Sequence, residues 1–222
     1  MSNIILKVTS LTVDYKSNNS FLFPWEKNLT FRAVEDINFE LNEGETLGIV
    51  GETGSGKSTI AKAVINLLKV SSGKILFQSN QIANLDEKKM RNYRKEIQMI
   101  FQDPLASLNP RMNVGEIISE PLKAHYPNLT KDEIKYQVQD IMSNVGLLSN
   151  QINRYPHEFS GGQCQRIGIA RSLILKPKLI ICDEPVSSLD VSIQAQVINL
   201  LKELQEKFKL TYLFITHDLN IA

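Results

Sequence analysis

The segment that most constrains the fold of this chain runs from residue 46 to residue 59 and reads TLGIVGETGSGKST. Its first five residues are short and apolar on both faces, which predicts a buried strand of a parallel sheet. Three closely spaced glycines follow, and the helical pattern begins directly after them. A buried strand that passes through a glycine-rich turn into a helix predicts an α/β fold.

The rest of the first third predicts a second layer of strands. Residues 4–15 and 31–41 are expected to be strands, and in the second one apolar and polar residues alternate strictly. Such alternation is typical of a half-exposed antiparallel sheet. Residues 16–30 are too polar and irregular for a strand, so we expect an inserted loop there.

Residues 109–176 have a helical pattern. Thr130 and Glu133 predict a capping box at the start of one helix, and Gly146 is placed to end it. A strand at 179–182, a helix at about 192–208 and a last strand at 211–216 follow. This return to alternating strands and helices predicts that the first and last thirds form one α/β core around a mainly parallel sheet.

Composition excludes several classes of protein. The chain has 222 residues, 42% of them hydrophobic, which is enough for a buried core. Its 25 basic and 24 acidic residues leave a formal charge of +1, so nothing indicates a nucleic-acid partner. The two cysteines match no metal-ligand spacing and fit a reducing compartment. No segment approaches the length of a membrane span, so we expect any membrane role to be peripheral.

The glycine-rich turn matches the pattern G-x-x-x-x-G-K-[ST] and predicts a phosphate-binding loop, or P-loop. Backbone N–H groups and the helix dipole stabilise phosphate charge there, Lys57 reaches the outer phosphates, and Ser58 can ligate Mg²⁺. The alternative, a glycine-rich turn with an incidental lysine, is disfavoured by the strand and helix on either side. The candidate ATP-binding residues of this loop are Gly51, Glu52, Thr53, Gly54, Ser55, Gly56, Lys57, Ser58 and Thr59.

Two adjacent carboxylates, Asp183 and Glu184, end the apolar strand that begins at Leu179. Asp183 stands where a carboxylate directed at Mg²⁺ belongs, and Glu184 is placed to orient and deprotonate an attacking water. Alone, such a pair is commonly just a solvated strand end. Together with the P-loop, it favours nucleotide hydrolysis.

A second candidate anion site begins at Ser160 in the stretch HEFSGGQCQR. Ser160 and Gln163 predict a capping box for a helix through Leu175. The cap does not account for Gly161 and Gly162, which are poor helix formers unless something must approach the backbone. A phosphate is one such group. Because no strand precedes this loop, we expect it to complete the nucleotide site of another subunit.

These motifs resemble those of the ATP-binding-cassette ATPases. Phe159, Ser160, Gly161, Gly162 and Gln163 are similar to the family's signature motif, which closes on the ATP of a head-to-tail partner. The resemblance also implies a Gln loop at Gln102, a D-loop at Ser188, Leu189 and Asp190, and a switch histidine at His217. It implies that Glu184, His217 and Gln102 are catalytic, and that Ser58, Gln102 and Asp183 bind Mg²⁺.

The runs IQMIFQDPLASLNPRM and DEPVSSLDVSIQAQVINLL narrow the resemblance to the oligopeptide and dipeptide importers, and to their second ATPase subunit. This branch implies ATP hydrolysis that energises peptide uptake at the cytoplasmic face of the inner membrane. The implied partners are a second ATPase subunit in a heterodimer, two membrane permease subunits and, indirectly, an extracytoplasmic solute-binding protein. Tyr15 is the implied adenine-stacking residue, with Phe31 as its rival.

The resemblance also implies one domain over residues 1–222. Residues 1–102 and 177–222 form the α/β nucleotide-binding core, and residues 103–176 form a helical signature subdomain. The chain differs from the branch at Cys164, where a basic residue is usual, and it stops five residues after His217. We therefore expect the strand at 211–216 to be left as an exposed apolar edge.

Alternative functions stay open. A cassette that acts on DNA or ribosomes is disfavoured, because the chain carries one cassette and no sustained heptads between Gln102 and Ser160. Two alternatives remain. The chain is an ATPase for the transport of nickel or another small solute, or it is a non-catalytic regulatory cassette.

Overall fold

The computed structural model describes residues 3–16 and 30–218. Within these residues the strands and helices follow in the order β1 (Ile4–Lys16), β2 (Thr30–Asn42), β3 (Thr46–Val50), α1 (Lys57–Val64), β4 (Ser72–Phe77), β5 (Asn80–Gln81), α2 (Glu87–Tyr93), β6 (Ile97–Ile100), α3 (Pro104–Ser107), α4 (Val114–His125), α5 (Lys131–Asn144), α6 (Gly161–Leu173), β7 (Leu179–Asp183), α7 (Val191–Phe208) and β8 (Thr211–Thr216). No helix in these ranges is long and apolar enough to cross a membrane.

The predicted antiparallel layer is confirmed. Its strands lie in the order β2-β1-β4-β5, and the β1–β2 and β1–β4 pairs are antiparallel. The sequence analysis did not predict β4 and β5. The loop expected at 16–30 lies mostly outside the described residues, and its ends are strand, because Lys16 pairs with Thr30.

The second sheet confirms the α/β fold class. Its strands are all parallel and lie in the order β3-β8-β7-β6. The expectation of an exposed edge at 211–216 is wrong, because β8 lies between β3 and β7 and all its residues are buried. Among the described strands the edges are instead β3 and β6, and the residues of β3 alternate between exposed and half-buried. β3 was predicted to be fully buried; among the described strands it has only β8 as a neighbour.

The parallel sheet separates two apolar cores. In β7, Ile180 and Cys182 face the core built with the inserted helices and α7, whereas Leu179 and Ile181 face the core built with α1 and the antiparallel sheet. The same alternation continues in β8, as the period-2 geometry of a strand requires. Both cysteines are buried free thiols. The sheet is therefore covered on both faces, with its strand ends accessible.

The inserted helices carry the predicted caps. Glu133 N donates to Thr130 Oγ1 (3.3 Å), and Thr130 N donates to Glu133 Oε2 (2.8 Å), which completes the capping box of α5. Gly146 follows that helix with a left-handed φ of 73°, a conformation that glycine adopts without strain. Helix α6 ends at Leu173, two residues before the predicted end.

Candidate functional site

The P-loop joins the carboxyl end of β3 to the start of α1. Gly54 and Gly56 have φ values of 85° and 92°, which a side chain would disfavour. Lys57 is buried, and its Nζ donates to the carbonyl oxygens of Gly51 and Glu52, both at 2.7 Å. The ammonium group is thus held across the loop, where it can reach an anion bound to the loop N–H groups.

Contact with the antiparallel sheet fixes the position of this loop. A Cβ added to Gly56 would lie 2.4 Å from the carbonyl oxygen of Ala33 in β2. Tyr15 Oη lies 3.3 Å from Thr59 Oγ1 in α1, and Tyr15 pairs directly with Phe31 across β1 and β2. Both aromatic side chains are exposed, at 40% and 67%. Directly paired residues share one face of a sheet, so the two rivals for base stacking lie side by side next to the P-loop.

The two carboxylates lie at the carboxyl end of β7, opposite the P-loop. Ser58 Oγ donates to Asp183 Oδ1 at 2.8 Å, which joins two predicted Mg²⁺ ligands. Burial raises the pKa of Asp183, and the hydrogen bond from Ser58 and the charges of Lys62 and Lys57 oppose that rise. A hydroxyl and a carboxylate oxygen are hard donors of the type that Mg²⁺ prefers, so these residues fit that ion.

Glu184 brings the predicted catalytic residues together. Its Oε2 accepts a hydrogen bond from Gln102 Nε2 at 3.1 Å and lies 3.1 Å from His217 Nδ1. The backbone of Glu184 is left-handed, with φ 46°, and its N–H donates to Ile215 O. A non-glycine residue in this conformation is strained, and such strain is concentrated at functional sites. The Glu184 side chain is only 10% exposed, so the direction of its carboxylate is set by these partners.

A cavity of about 730 Å³ opens beside this cluster, and its lining includes Gln102, Asp103 and Asp183. It also includes Arg171 of α6, which the sequence analysis missed. The Arg171 guanidinium donates to Ser107 O at 2.6 Å, and burial lowers its pKa. The sequence did contain a sign of this residue's role, since Arg171 is the one charged residue in the apolar run IGIARSLIL. A long charged side chain is rarely buried without a partner.

The predicted signature residues do not join this cluster in the same chain. Ser160 caps α6: Gln163 N donates to Ser160 Oγ, and Ser160 N donates to Gln163 Oε1 at 3.0 Å. Phe159 is half-buried against the apolar core, whereas Ser160 and Gly161 are exposed. Among the described residues, the hydrogen bonds of this segment stay within the start of α6 and the turn before it. Its role toward a partner's nucleotide stays a prediction.

The predicted D-loop connects the carboxylates to α7. Ser188 and Asp190 are exposed, and Leu189 is half-buried against the core of the inserted helices. Two neighbours in the first turn of α7, Ile193 and Gln194, were missed. Ile193 contacts the start of α6, and Gln194 Nε2 donates to two carbonyl oxygens of the D-loop turn. Gln194 could have been found from its spacing, because residues four positions apart lie on the same face of a helix and Gln194 follows Asp190 by four.

Comparisons with known proteins find close relatives of this chain. The oligopeptide transport ATP-binding protein OppF of Haemophilus influenzae is 58% identical over 219 residues, which are 99% of this chain and 66% of that protein. AppF of Bacillus subtilis, also an oligopeptide transport ATP-binding protein, is 58% identical over 193 residues, which are 86% of this chain and 58% of that protein. The chain thus spans about two thirds or less of the length of these relatives.

Solved structures share the fold. A dimeric ATP-binding cassette in a post-hydrolysis state, bound to ADP and Pi, has a TM-score of 0.84 at 29% identity and covers 98% of this chain and 90% of its own. CbiO1 of Clostridium perfringens, part of an ABC transporter complex, has a TM-score of 0.82 at 31% identity, with coverage of 99% and 81%. The family profile described as ABC transporter matches residues 34–187, which is more than half of the sequence. The chain belongs to the ABC transporter family.

Proposed function

We propose that this chain is the ATP-hydrolysing subunit of an importer that takes up oligopeptides or dipeptides. The observation that carries the proposal is the convergence on Glu184. Gln102 and His217 both contact one oxygen of its carboxylate, beside a P-loop whose Ser58 is hydrogen-bonded to Asp183. This arrangement combines an anion-binding loop with a positioned base, the two parts that hydrolysis of the phosphoanhydride bond of ATP requires.

Nucleotide binding in this proposal falls to the P-loop, residues 51–59. The N–H groups of the loop and of the first turn of α1 donate to the phosphate oxygens, and Lys57 Nζ exchanges its two carbonyl partners for phosphate oxygens. Tyr15 is our choice for stacking on the base, because its hydroxyl already contacts Thr59 of α1. Phe31 lies beside it on the same face and extends the aromatic surface.

Mg²⁺ would be held by Ser58 and Asp183, with the amide oxygen of Gln102 as a further ligand, and it would neutralise phosphate charge. Glu184 accepts a proton from the attacking water. Its carboxylate is aimed by Gln102 and His217, so the water is activated at one fixed place. His217 is also proposed to contact the terminal phosphate, since its ring is half-exposed beside Glu184.

A head-to-tail dimer completes the proposed site. The start of α6 is exposed, and the first backbone N–H groups of a helix have no carbonyl partner within that helix. In the proposed dimer, which we expect to be a heterodimer, residues 159–163 close on the partner's ATP and residues 188–190 line the same interface. We propose residues 1–102 and 177–222 as the nucleotide-binding core and residues 103–176 as the helical signature subdomain.

The transported solute is proposed from the relatives. Those reported above are oligopeptide transport proteins, and a dipeptide transport protein, DppF of Lactococcus lactis, is 52% identical over 193 residues. Two membrane permease subunits and an extracytoplasmic solute-binding protein are the partners that this function requires. The proposed location is the cytoplasmic face of the inner membrane.

Two experiments test the proposal. The purified chain, mixed with its partner ATPase subunit, ATP and Mg²⁺, is expected to release phosphate, and removal of Mg²⁺ with a chelator is expected to stop the release. For the solute, cells lacking the chain are compared for uptake of a labelled tripeptide and of nickel. Loss of nickel uptake with normal peptide uptake would contradict peptide import while leaving the ATPase assignment intact.

A further inference from the structure

Helices α6 and α7 begin in direct contact, at the two glycines of the signature segment. A Cβ added to Gly162 would lie 2.6 Å from Ile193 Cγ2, and one added to Gly161 would lie 3.4 Å from Leu189 Cδ2. Neither glycine has a positive φ, so neither is required by backbone conformation. The missing side chains instead let the two helix starts approach each other. Gly162 therefore has a packing reason within its own chain, besides any approach of a phosphate.

The two contacted residues, Leu189 and Ile193, belong to a rigid segment that begins at Glu184. Ser187 N donates to Glu184 O, and Leu189 N donates to Val186 O at 3.1 Å. These two hydrogen bonds close a compact turn over residues 184–189. Val186 is buried at its centre, so the turn cannot shift without disturbing the core.

Gln194 ties this turn to α7. Its Nε2 donates to Val186 O at 3.1 Å and to Leu189 O at 2.9 Å. The backbone N–H groups of Ile193 and Gln194 both donate to Asp190 O at 2.9 Å. Ile193, Gln194 and the turn are therefore one hydrogen-bonded unit, with Glu184 at one end and the contact with Gly162 at the other.

We propose that Ile193 is a positioning residue that couples the signature segment to Glu184 of the same chain. The proposal rests on the proposed function. In a head-to-tail dimer, the signature segment lies at the partner's nucleotide and Glu184 lies at the chain's own nucleotide. Closure of the signature on the partner's ATP then presses Gly162 against Ile193 and, through the turn at 184–189, fixes the carboxylate. Each site thereby depends on the nucleotide bound at the other.

The test uses the shapes of three aliphatic side chains. Gly162→Ala places a methyl group against Ile193 Cγ2, and overpacking of this kind shifts or strains its surroundings. Ile193→Leu keeps the side-chain volume but removes the branch at Cβ, and with it Cγ2, so it restores space for the alanine. Ile193→Val is the matched control, because valine keeps both Cγ atoms. We therefore expect Ile193→Leu to rescue Gly162→Ala and Ile193→Val not to rescue it.

The first readout is hydrogen exchange of the amides of Ser187 and Leu189 in the purified chain. Gly162→Ala is expected to speed their exchange by about tenfold, since a strained contact loosens the turn. The pair Gly162→Ala with Ile193→Leu is expected to restore protection. This arm requires neither hydrolysis nor a partner. Unchanged exchange in Gly162→Ala, or equal rescue by Ile193→Val, would overturn the proposal.

The second readout is the ATP dependence of phosphate release. Ile193→Ala removes the contact, so we expect the apparent Hill coefficient for ATP to fall toward 1 with little change in the affinity of the P-loop for nucleotide. A merely structural role for Ile193 would lower melting temperature and rate together and leave the Hill coefficient unchanged. If Gly162→Ala abolishes hydrolysis and Ile193→Leu does not restore it, the glycine serves phosphate approach and the coupling proposal is wrong. If the wild-type chain, assayed with its partner ATPase subunit, releases no phosphate, that result contradicts the proposed function instead, and the exchange measurement still tests the contact between Gly162 and Ile193 on which the coupling rests.

Discussion

His217 Nδ1 lies 3.1 Å from Glu184 Oε2, although the two residues are 33 positions apart in the sequence. They meet because β7 and β8 are adjacent and parallel, so their carboxyl ends reach the same edge of the sheet. Gln102 joins them from the end of β6, the neighbour of β7 on its other side. The strand β7 thus supplies the carboxylate, and its two neighbours in the sheet, β6 and β8, each bring one side chain to it.

Replacing Glu184 by Gln should slow ATP hydrolysis by about 10²- to 10⁴-fold while ATP still binds, because the amide keeps the shape of the carboxylate but cannot take a proton. The closed dimer should accumulate in ATP and be visible by size-exclusion chromatography. Glu203→Gln, the same change at an exposed position of α7, is the control and should hydrolyse ATP like the wild type. Near-normal turnover of the Glu184 variant would remove Glu184 from the role of base.

Loss of His217 should reduce turnover more than nucleotide affinity. His217→Ala removes one of the two side chains that aim the Glu184 carboxylate, and Gln102→Ala removes the other. Each is expected to lower kcat by about tenfold or more, in the range of a lost hydrogen bond to a charged group. Steady-state kinetics and equilibrium nucleotide binding separate the two effects. An affinity loss as large as the loss in kcat would show that the main role of these residues is to hold nucleotide and Mg²⁺ and not to position the base.

Removing the Lys57 side chain should abolish most nucleotide affinity. Its ammonium group lies across the loop, within 2.7 Å of two carbonyl oxygens, and is the charged side-chain group that we expect to meet the outer phosphates. Lys57→Ala should weaken binding by about 10- to 100-fold, as for other charge-assisted hydrogen bonds. Isothermal calorimetry with ATP measures the change, and Lys69→Ala, at an exposed position after α1, is the control. Equal affinities of the two variants for ATP would contradict the assignment of Lys57 to phosphate binding.

Gly56 should tolerate alanine much less well than Gly54. Both residues have left-handed φ values, so both variants lose about 1–2 kcal/mol of folding free energy to backbone strain. At Gly56 the added Cβ also meets Ala33 O at 2.4 Å, whereas nothing lies within 4 Å at Gly54. We expect Gly56→Ala to be the less stable by at least about 1 kcal/mol in urea unfolding. Equal unfolding midpoints would contradict the close packing of the P-loop on β2.

His125 should make the fold sensitive to acid. Burial lowers the pKa of His125 below its ordinary value of 6.5, and the positive charges of Lys95, Arg91 and Arg94 lower it further. The unfolded chain therefore binds a proton more readily than the folded chain, and stability is lost as the pH falls through 6.5. His125→Gln should show a smaller drop in melting temperature between pH 7.5 and pH 5.5. Lys95→Gln should give a drop in melting temperature between those of the wild type and His125→Gln. Identical pH profiles for the three proteins would show that His125 does not cause the acid sensitivity.

Local sequence determined much of this protein. The P-loop pattern, the capping residues Thr130 and Ser160, and the alternation in residues 31–41 each depend on interactions within a few positions, and the structure confirms the elements they predicted. The runs around Gln102, Ser160 and Asp183 are also sufficient to identify the family, whose profile matches residues 34–187. Strand periodicity and helix caps can be predicted from sequence because the residues that interact are close together in the chain.

Tertiary structure alone decided which strands form the edges of the parallel sheet and which residues contact the same carboxylate. Strand order is not encoded by the composition of a strand: β3 and β8 are both apolar, yet among the described strands β8 has two neighbours and β3 has one. The left-handed backbone of Glu184 and the contact between Gly162 and Ile193 depend on how separate elements pack against each other. Gly161 and Gly162 therefore predicted that some group approaches the backbone closely. Only the fold could identify Ile193 as such a group, because Ile193 lies on another helix, far along the sequence.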